Sequence, residues 1–269
     1  MEIQGHEHIS VNLLNLLTRR EKLLISIFVL VIFLLLLQLP LTGDEAYFIS
    51  WGQNFLSGYY DHPPLVGWTV YVLSLINDSY FLLRFFAFLS SLLVSYLIYR
   101  LVLTSNNSEI AIYVAAIYFV SPASLVTVVL TNDVVLVLSG LLGFYFLVKA
   151  LSTDSLKFSV IAGIFLGLSF LSKYLSVFMF IGLFLYLVFN LKKVNWKIAL
   201  IVSTTILLFI FENIYFNLTN CWNNVLFNLY SRTKDSGFDL TNIAFYLGFL
   251  LLLVPPYALV CFARTRFKP

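Results

Sequence analysis

Apolar residues gather in eight stretches of this chain, at 23–39, 81–99, 110–130, 134–148, 158–171, 174–190, 198–214 and 242–262, and polar residues collect between them. A helix needs about 20 mostly apolar residues to cross a bilayer, so the pattern predicts an all-α, polytopic membrane bundle of about eight spans in one domain, 1–269. The apolar run at 23–39 is too long for a signal peptide and no small-residue cleavage site follows it, so it reads as an uncleaved first span. Before it, Val11, Leu13, Leu14, Leu16 and Leu17 precede Arg19-Arg20-Glu21-Lys22, the pattern of a short interfacial helix. Two spans are irregular. The stretch 158–171 is short and ends at Ser172-Lys173, and Pro255-Pro256 interrupts the last one, where the rings and the lost amide donors kink a helix. Gly163 and Gly167, four residues apart, predict a close helix-packing face.

The charges orient the bundle. Arg19, Arg20, Lys22, Arg100, Lys149, Lys157, Lys192, Lys193, Lys197, Arg264, Arg266 and Lys268, twelve of the 16 Lys and Arg residues, fall on one side of the arrangement. By the positive-inside rule that side is cytoplasmic, and both termini lie there. Asp44, Glu45, Asp61, Asp78, Asp133, Glu212, Asp235 and Asp239 fall on the opposite side or near it, so any chemistry faces outward. Composition agrees: 61% hydrophobic and 11% charged residues exclude an ordinary soluble domain. A net charge of +3, with the signs segregated by loop, fits membrane topology and gives no support for nucleic-acid binding. Cys221 and Cys261 bracket the last apolar run, roughly 30 Å apart if it is helical, so no disulfide is expected between them.

The interval 42–79 is the richest in chemistry. Asp44 and Glu45 are adjacent, and on a helix their side chains diverge by roughly 100°, so one can face a reacting atom while the other orients. Both could instead simply mark the water boundary. Tyr47, Trp51, Tyr59, Tyr60 and Trp68 surround them with aromatic surface, which alone would read as an interface belt. Asp61-His62 stands before Pro63-Pro64, whose rings fix the backbone that presents the pair. Thr131-Asn132-Asp133 is a polar turn that returns Asp133 to the same face, and Asn217, Asn220 and Trp222 precede Arg232 in the last outer loop. Lys173 and Arg232 suit a phosphate, although either can instead pair with one of the acids.

In this order, Asp44-Glu45-Ala46-Tyr47, Tyr60-Asp61-His62-Pro63-Pro64-Leu65, Thr131-Asn132-Asp133, Gly167-Leu168-Ser169-Phe170-Leu171-Ser172-Lys173-Tyr174, and Asn217 with Trp222 and Arg232 resemble bacterial GT-C glycosyltransferases, that is, the dolichyl-phosphate-mannose protein mannosyltransferases and the aminoarabinose transferases of lipid A. The resemblance implies a helical bundle whose first extracytoplasmic loop, 42–79, carries interfacial helices and the active site. It implies an inverting transferase in the bacterial inner membrane that moves a sugar from a polyprenyl-phosphate donor to a hydroxyl of a protein, lipid or glycan acceptor, with membrane lipid around it. Asp44 would then be the base, with Glu45 beside it; Tyr60, Asp61, His62, Asp133 and Asn217 would bind substrate; Lys173 and Arg232, and less directly Arg84, would hold the donor phosphate. Family members usually continue for several more helices and often an outer domain, a part expected to be absent from this chain, which ends at Pro269.

Two rival classes remain at this level. A transporter or flippase would use intramembrane charge as a pathway, but most acids sit on one face and no matched pair of broken helices is evident. A non-catalytic remnant would still bind lipid phosphate. No metal is expected to be required, since His62 has no second histidine near it; a divalent cation fits only if Asp44, Glu45 and Asp133 converge.

Overall fold

A computed structural model of the chain describes residues 17–126, 128–232, 234 and 240–253. The described residues are helical with no strand among them. The helices are α1 (Arg19–Gln38), α2 (Gly43–Gly52), α3 (Leu65–Ser74), α4 (Tyr80–Leu103), α5 (Ser108–Phe119), α6 (Pro122–Val126), α7 (Asn132–Thr153), α8 (Leu156–Phe170), α9 (Val177–Phe189), α10 (Trp196–Thr219), α11 (Asn223–Leu226) and α12 (Leu240–Leu253). A 3-10 turn, Tyr174–Ser176, leads into α9, and a π turn, Phe227–Ser231, follows α11.

Of the eight predicted spans, four become helices long and apolar enough to cross a membrane: α1, α4, α7 and α10. The first loop does carry two short helices, α2 and α3, of ten residues each. The predicted span 110–130 is not one helix. It breaks after α5, where Pro122 has no amide proton to continue the ladder and restrains Ser121 before it. At about 18 Å, α5 falls short of the ~30 Å hydrocarbon core. Beyond the break Val128 and Leu130 turn inward and are buried, and Thr131 delivers Asn132 and Asp133 to the start of α7. The double proline of the last predicted span, together with Cys261, lies outside the described residues.

Glycine sets the tightest packing. A Cβ on Gly143 of α7 would meet Leu166 of α8 at 2.6 Å, and one on Gly163 of α8 would meet Thr205 of α10 at 2.5 Å. Gly167 likewise leaves room only for the ring of Phe209. The Gly163 and Gly167 pair is thus the face on which α8 meets α10, as expected of small residues four apart. The helices α7, α8 and α10 form one layered unit around Ala150, Ala162, Leu166, Ile198 and Val202. A second core, with Phe48, Trp51, Tyr59, Val66 and Val70, packs the α2–α3 loop against Leu83 and Ala87 of α4 and Val134 and Val135 of α7.

Candidate active site

The start of α2 is set by a capping box. Thr42 Oγ1 accepts from the Glu45 amide at 3.3 Å, and Glu45 Oε2 accepts from the Thr42 amide at 3.1 Å. This turns Glu45 inward, and there it meets Arg84 of α4: Nε donates to Oε1 and Nη2 to Oε2, both at 2.7 Å. The remaining guanidinium protons are taken by carbonyls at the end of α1, from Nη1 to Leu39 O at 2.7 Å and from Nη2 to Pro40 O at 3.1 Å. Both residues are 3% exposed. Burial alone would push the Glu45 carboxyl up, but the hydrogen bonds from Arg84 and Thr42 and the guanidinium charge hold it below its usual value.

Two sequence-based assignments are corrected by this geometry. Arg84 has no face left for a donor phosphate, because its guanidinium is spent on Glu45 and on the α1 carbonyls. Glu45 is a buried structural anion, not an acid that can meet a substrate. Asp44, one residue earlier and turned away by the helix, is exposed. The signal for Glu45 was present in Thr42-Gly43-Asp44-Glu45, a threonine followed three residues later by a glutamate.

The second strand of the site is the loop between α2 and α3. Tyr59 stacks on Trp51 with ring centroids 4.5 Å apart, and its hydroxyl donates to Trp51 O and Asn54 O. That clamp presents Asp61, whose Oδ1 accepts from Tyr47 Oη at 3.0 Å and whose Oδ2 lies 3.2 Å from His62 Nδ1. Burial raises the Asp61 pKa, yet the adjacent His62 imidazole and the Tyr47 hydroxyl outweigh it and the net direction is down. The same carboxylate, added to burial, pushes Tyr47 up to about 12. Tyr60 is exposed, its ring 5.3 Å from that of Phe227.

Segments far apart in the chain close on this loop. The Leu65 amide donates to Leu171 O at 2.9 Å, and Ser172 Oγ donates to Asn132 O at 2.6 Å. Lys173 Nζ then reaches both oxygens of Asp133, at 2.8 and 3.0 Å. From the other flank Asn224 Nδ2 donates to Tyr59 O at 2.8 Å and Asn228 Nδ2 to Asp61 O at 2.6 Å. Asn217, 1% exposed, donates to Asn213 O at 2.9 Å and to Tyr174 Oη at 3.3 Å, while Tyr174 Oη donates to Asn213 Oδ1 at 2.9 Å. Asp61, His62, Asp133, Lys173 and Asn217 therefore belong to one polar layer at one end of the bundle. Arg232 is exposed and follows the π turn that continues from Asn228.

Sequence reasoning missed Asn213, Asn224 and Asn228, and quoted Tyr174 within a motif without giving it a role. The i, i+4 spacing of Asn213 with Asn217 and of Asn224 with Asn228, which places each pair on one helix face, was the available signal. Glu212, named only for its charge, has Oε2 buried without a hydrogen-bond partner. Among the described residues no group of three or more His, Cys, Asp or Glu side chains could hold a metal ion. Two of the three acids considered for a cation, Glu45 and Asp133, are each paired with a basic side chain.

A multi-pass helical bundle with a polar layer gathered at one end is the architecture of a polytopic membrane protein, and comparison with known sequences gives its family. The family model "Dolichyl-phosphate-mannose-protein mannosyltransferase" matches residues 61–216, from Asp61 through Asn132, Asp133 and Lys173 to most of α10. The chain belongs to that family. The match starts after Asp44 and stops before Asn217 and Arg232. The chain is also similar to the lipid A galacturonosyltransferase RgtD of Rhizobium johnstonii, at 26% identity over 145 residues, which are 52% of this chain and 30% of that protein. It thus spans about a third of the length of that curated relative. No solved structure matches.

Proposed function

We propose that this protein is a membrane glycosyltransferase that moves a sugar from a polyprenyl-phosphate donor to an acceptor hydroxyl on the outer face of the bacterial inner membrane, with inversion. The observation that carries the reading is the convergence, at one end of the bundle, of the Asp61-His62, Asn132-Asp133, Ser172-Lys173 and Asn217 segments through specific hydrogen bonds. Family membership and the likeness to a lipid A galacturonosyltransferase support the reaction class; neither identifies the sugar or the acceptor of this chain.

In this reading Asp44 is the base. It is exposed on the first turn of α2, while its neighbour Glu45 locks that turn to α4, so Asp44 is held in place without being neutralised by Arg84. A carboxylate so placed takes the hydroxyl proton as the oxocarbenium-like centre forms, a step worth about 10²–10⁴-fold. The leaving group is already a phosphate, so cations matter more than a second acid; Lys173 and Arg232 are assigned to it, Lys173 exchanging Asp133 for the donor. Asp61, His62, Tyr60 and Asp133 position the substrates, and Asn217, buried behind them on Asn213 and Tyr174, holds that wall of the site in place. No metal is required in this scheme, and turnover should persist in excess chelator.

The test is transfer of radiolabelled sugar from a panel of polyprenyl-phosphate donors, with a membrane extract as acceptor and purified wild type beside Asp44→Asn. Label should move with the wild type and drop by about 10²-fold or more with the variant. Turnover retained by Asp44→Asn would remove Asp44 from the base role, and donor binding without any transfer by the wild type would leave only a lipid-phosphate-binding protein.

A further inference from the structure

The end of the bundle opposite the polar layer carries a feature that sugar transfer does not use. Helix α9 has no buried residue, and a Cβ on its Gly182 would meet nothing within 4 Å. Between α9, α10 and the end of α7 lies a groove of about 320 Å³. Its walls are mostly apolar, with Leu151, Leu183, Leu187, Val202, Ile206 and Ile210 among them. Along α10 it extends from Asn195 to Ile210, about 22 Å at 1.5 Å per residue, more than the ~15 Å depth of one hydrocarbon leaflet.

Its mouth is cationic. Lys193 lines it, and Lys192 and Lys197 are exposed at the same end of the bundle, one in the turn before α10 and one in its first turn. Trp196, 55% exposed, lies between them at the depth where tryptophan marks a headgroup boundary. The nearby acid, Asp154, accepts from Asn195 Nδ2 at 2.7 Å and leaves the three lysines in excess. Lys149, on the same end, lies over the Phe158 ring at 4.3 Å.

We propose that this groove binds one anionic phospholipid, with an acyl chain along α10 between α9 and α7 and the headgroup phosphate on Lys193, within the positive field that Lys192 and Lys197 add at the same end of the bundle. Charge complementarity selects this occupant. An apolar slot alone would take any lipid, whereas an ammonium group at its opening, with two more at the same end of the bundle, favours a headgroup of net negative charge. The groove has its mouth at the end opposite the polar layer, and its occupancy does not depend on the transferase reading.

The experiment uses the purified full chain in nanodiscs that mix phosphatidylglycerol with phosphatidylcholine, and native mass spectrometry of the lipid retained on release. The wild type should keep one phosphatidylglycerol in preference to phosphatidylcholine by about tenfold or more. Lys192→Gln/Lys193→Gln/Lys197→Gln, all at exposed positions, should abolish the preference while leaving the melting temperature unchanged. Ala199→Phe, which fills the slot, should remove the retained lipid of either kind. Equal retention of the two lipids, no retained lipid on the wild type, or a preference that survives the triple substitution would each overturn the proposal.

Discussion

Two acid–base pairs fasten this bundle, and they differ in one respect. Glu45–Arg84, which ties α2 to α4 and the end of α1, is almost fully buried, each side chain 3–4% exposed. Asp133–Lys173, which ties the start of α7 to the turn after α8, leaves Lys173 21% and Asp133 58% exposed. The chemistry is the same and the consequence is opposite. Removing one partner of a buried pair strands a charge away from water, whereas an exposed pair exchanges water for its partner at little net cost. The first is fixed scaffold, and the second can trade its partner for another anion.

The largest effect should come from breaking the buried pair. Arg84→Ala is expected to destabilise the protein by about 3–5 kcal/mol in denaturant or thermal unfolding in detergent. A loss under 1 kcal/mol would erase the distinction between the pairs. Acid should reveal the same pair without mutation. Glu45 and Asp61 have folded pKa values below their unfolded ones, so the stability they contribute is complete above about pH 4.5 and is lost as pH falls through the folded values. Glu45→Gln should flatten that acid limb of the stability profile, and an unchanged limb would show that other carboxyls dominate.

A smaller effect is expected from Asn224→Leu, which strands the Tyr59 carbonyl and should cost about 1–3 kcal/mol while leaving the Glu45–Arg84 pair intact. The smallest stability change belongs to the exposed pair. Lys173→Ala should alter stability by less than about 1 kcal/mol and yet raise the donor KM in the transfer assay. If stability falls as far as it does for Arg84→Ala, Lys173 is scaffold and not a donor ligand.

Much of the fold is written in composition and periodicity, because a membrane span declares itself by length alone. The two short loop helices, the α8 glycine face and the gathering of Asp61, Asp133 and Lys173 all follow from residues that stand out in the sequence. Partner choice is another matter. Arg84 reads as a spare cation only until a carboxylate 39 residues away is placed against it, and Asp133 and Lys173 read as two separate ligands until each is found on the other. The break at Ser121-Pro122 was also visible, but hydropathy averaged across it because Val126, Val128, Val129 and Leu130 keep the run apolar. Asn213, Asn224 and Asn228 went unnoticed for a different reason: an i, i+4 spacing puts two amides on one helix face, but does not tell a pair buried against the bundle from one facing water.

One further property follows from how the polar layer is tied. Asn224 binds the carbonyl of Tyr59, Asn228 that of Asp61, Ser172 that of Asn132, and the Leu65 amide that of Leu171. Every residue type owns a carbonyl oxygen. The tie from Asn228 therefore does not depend on the Asp61 side chain, so that side chain can be exchanged for another without releasing the loop from the π turn.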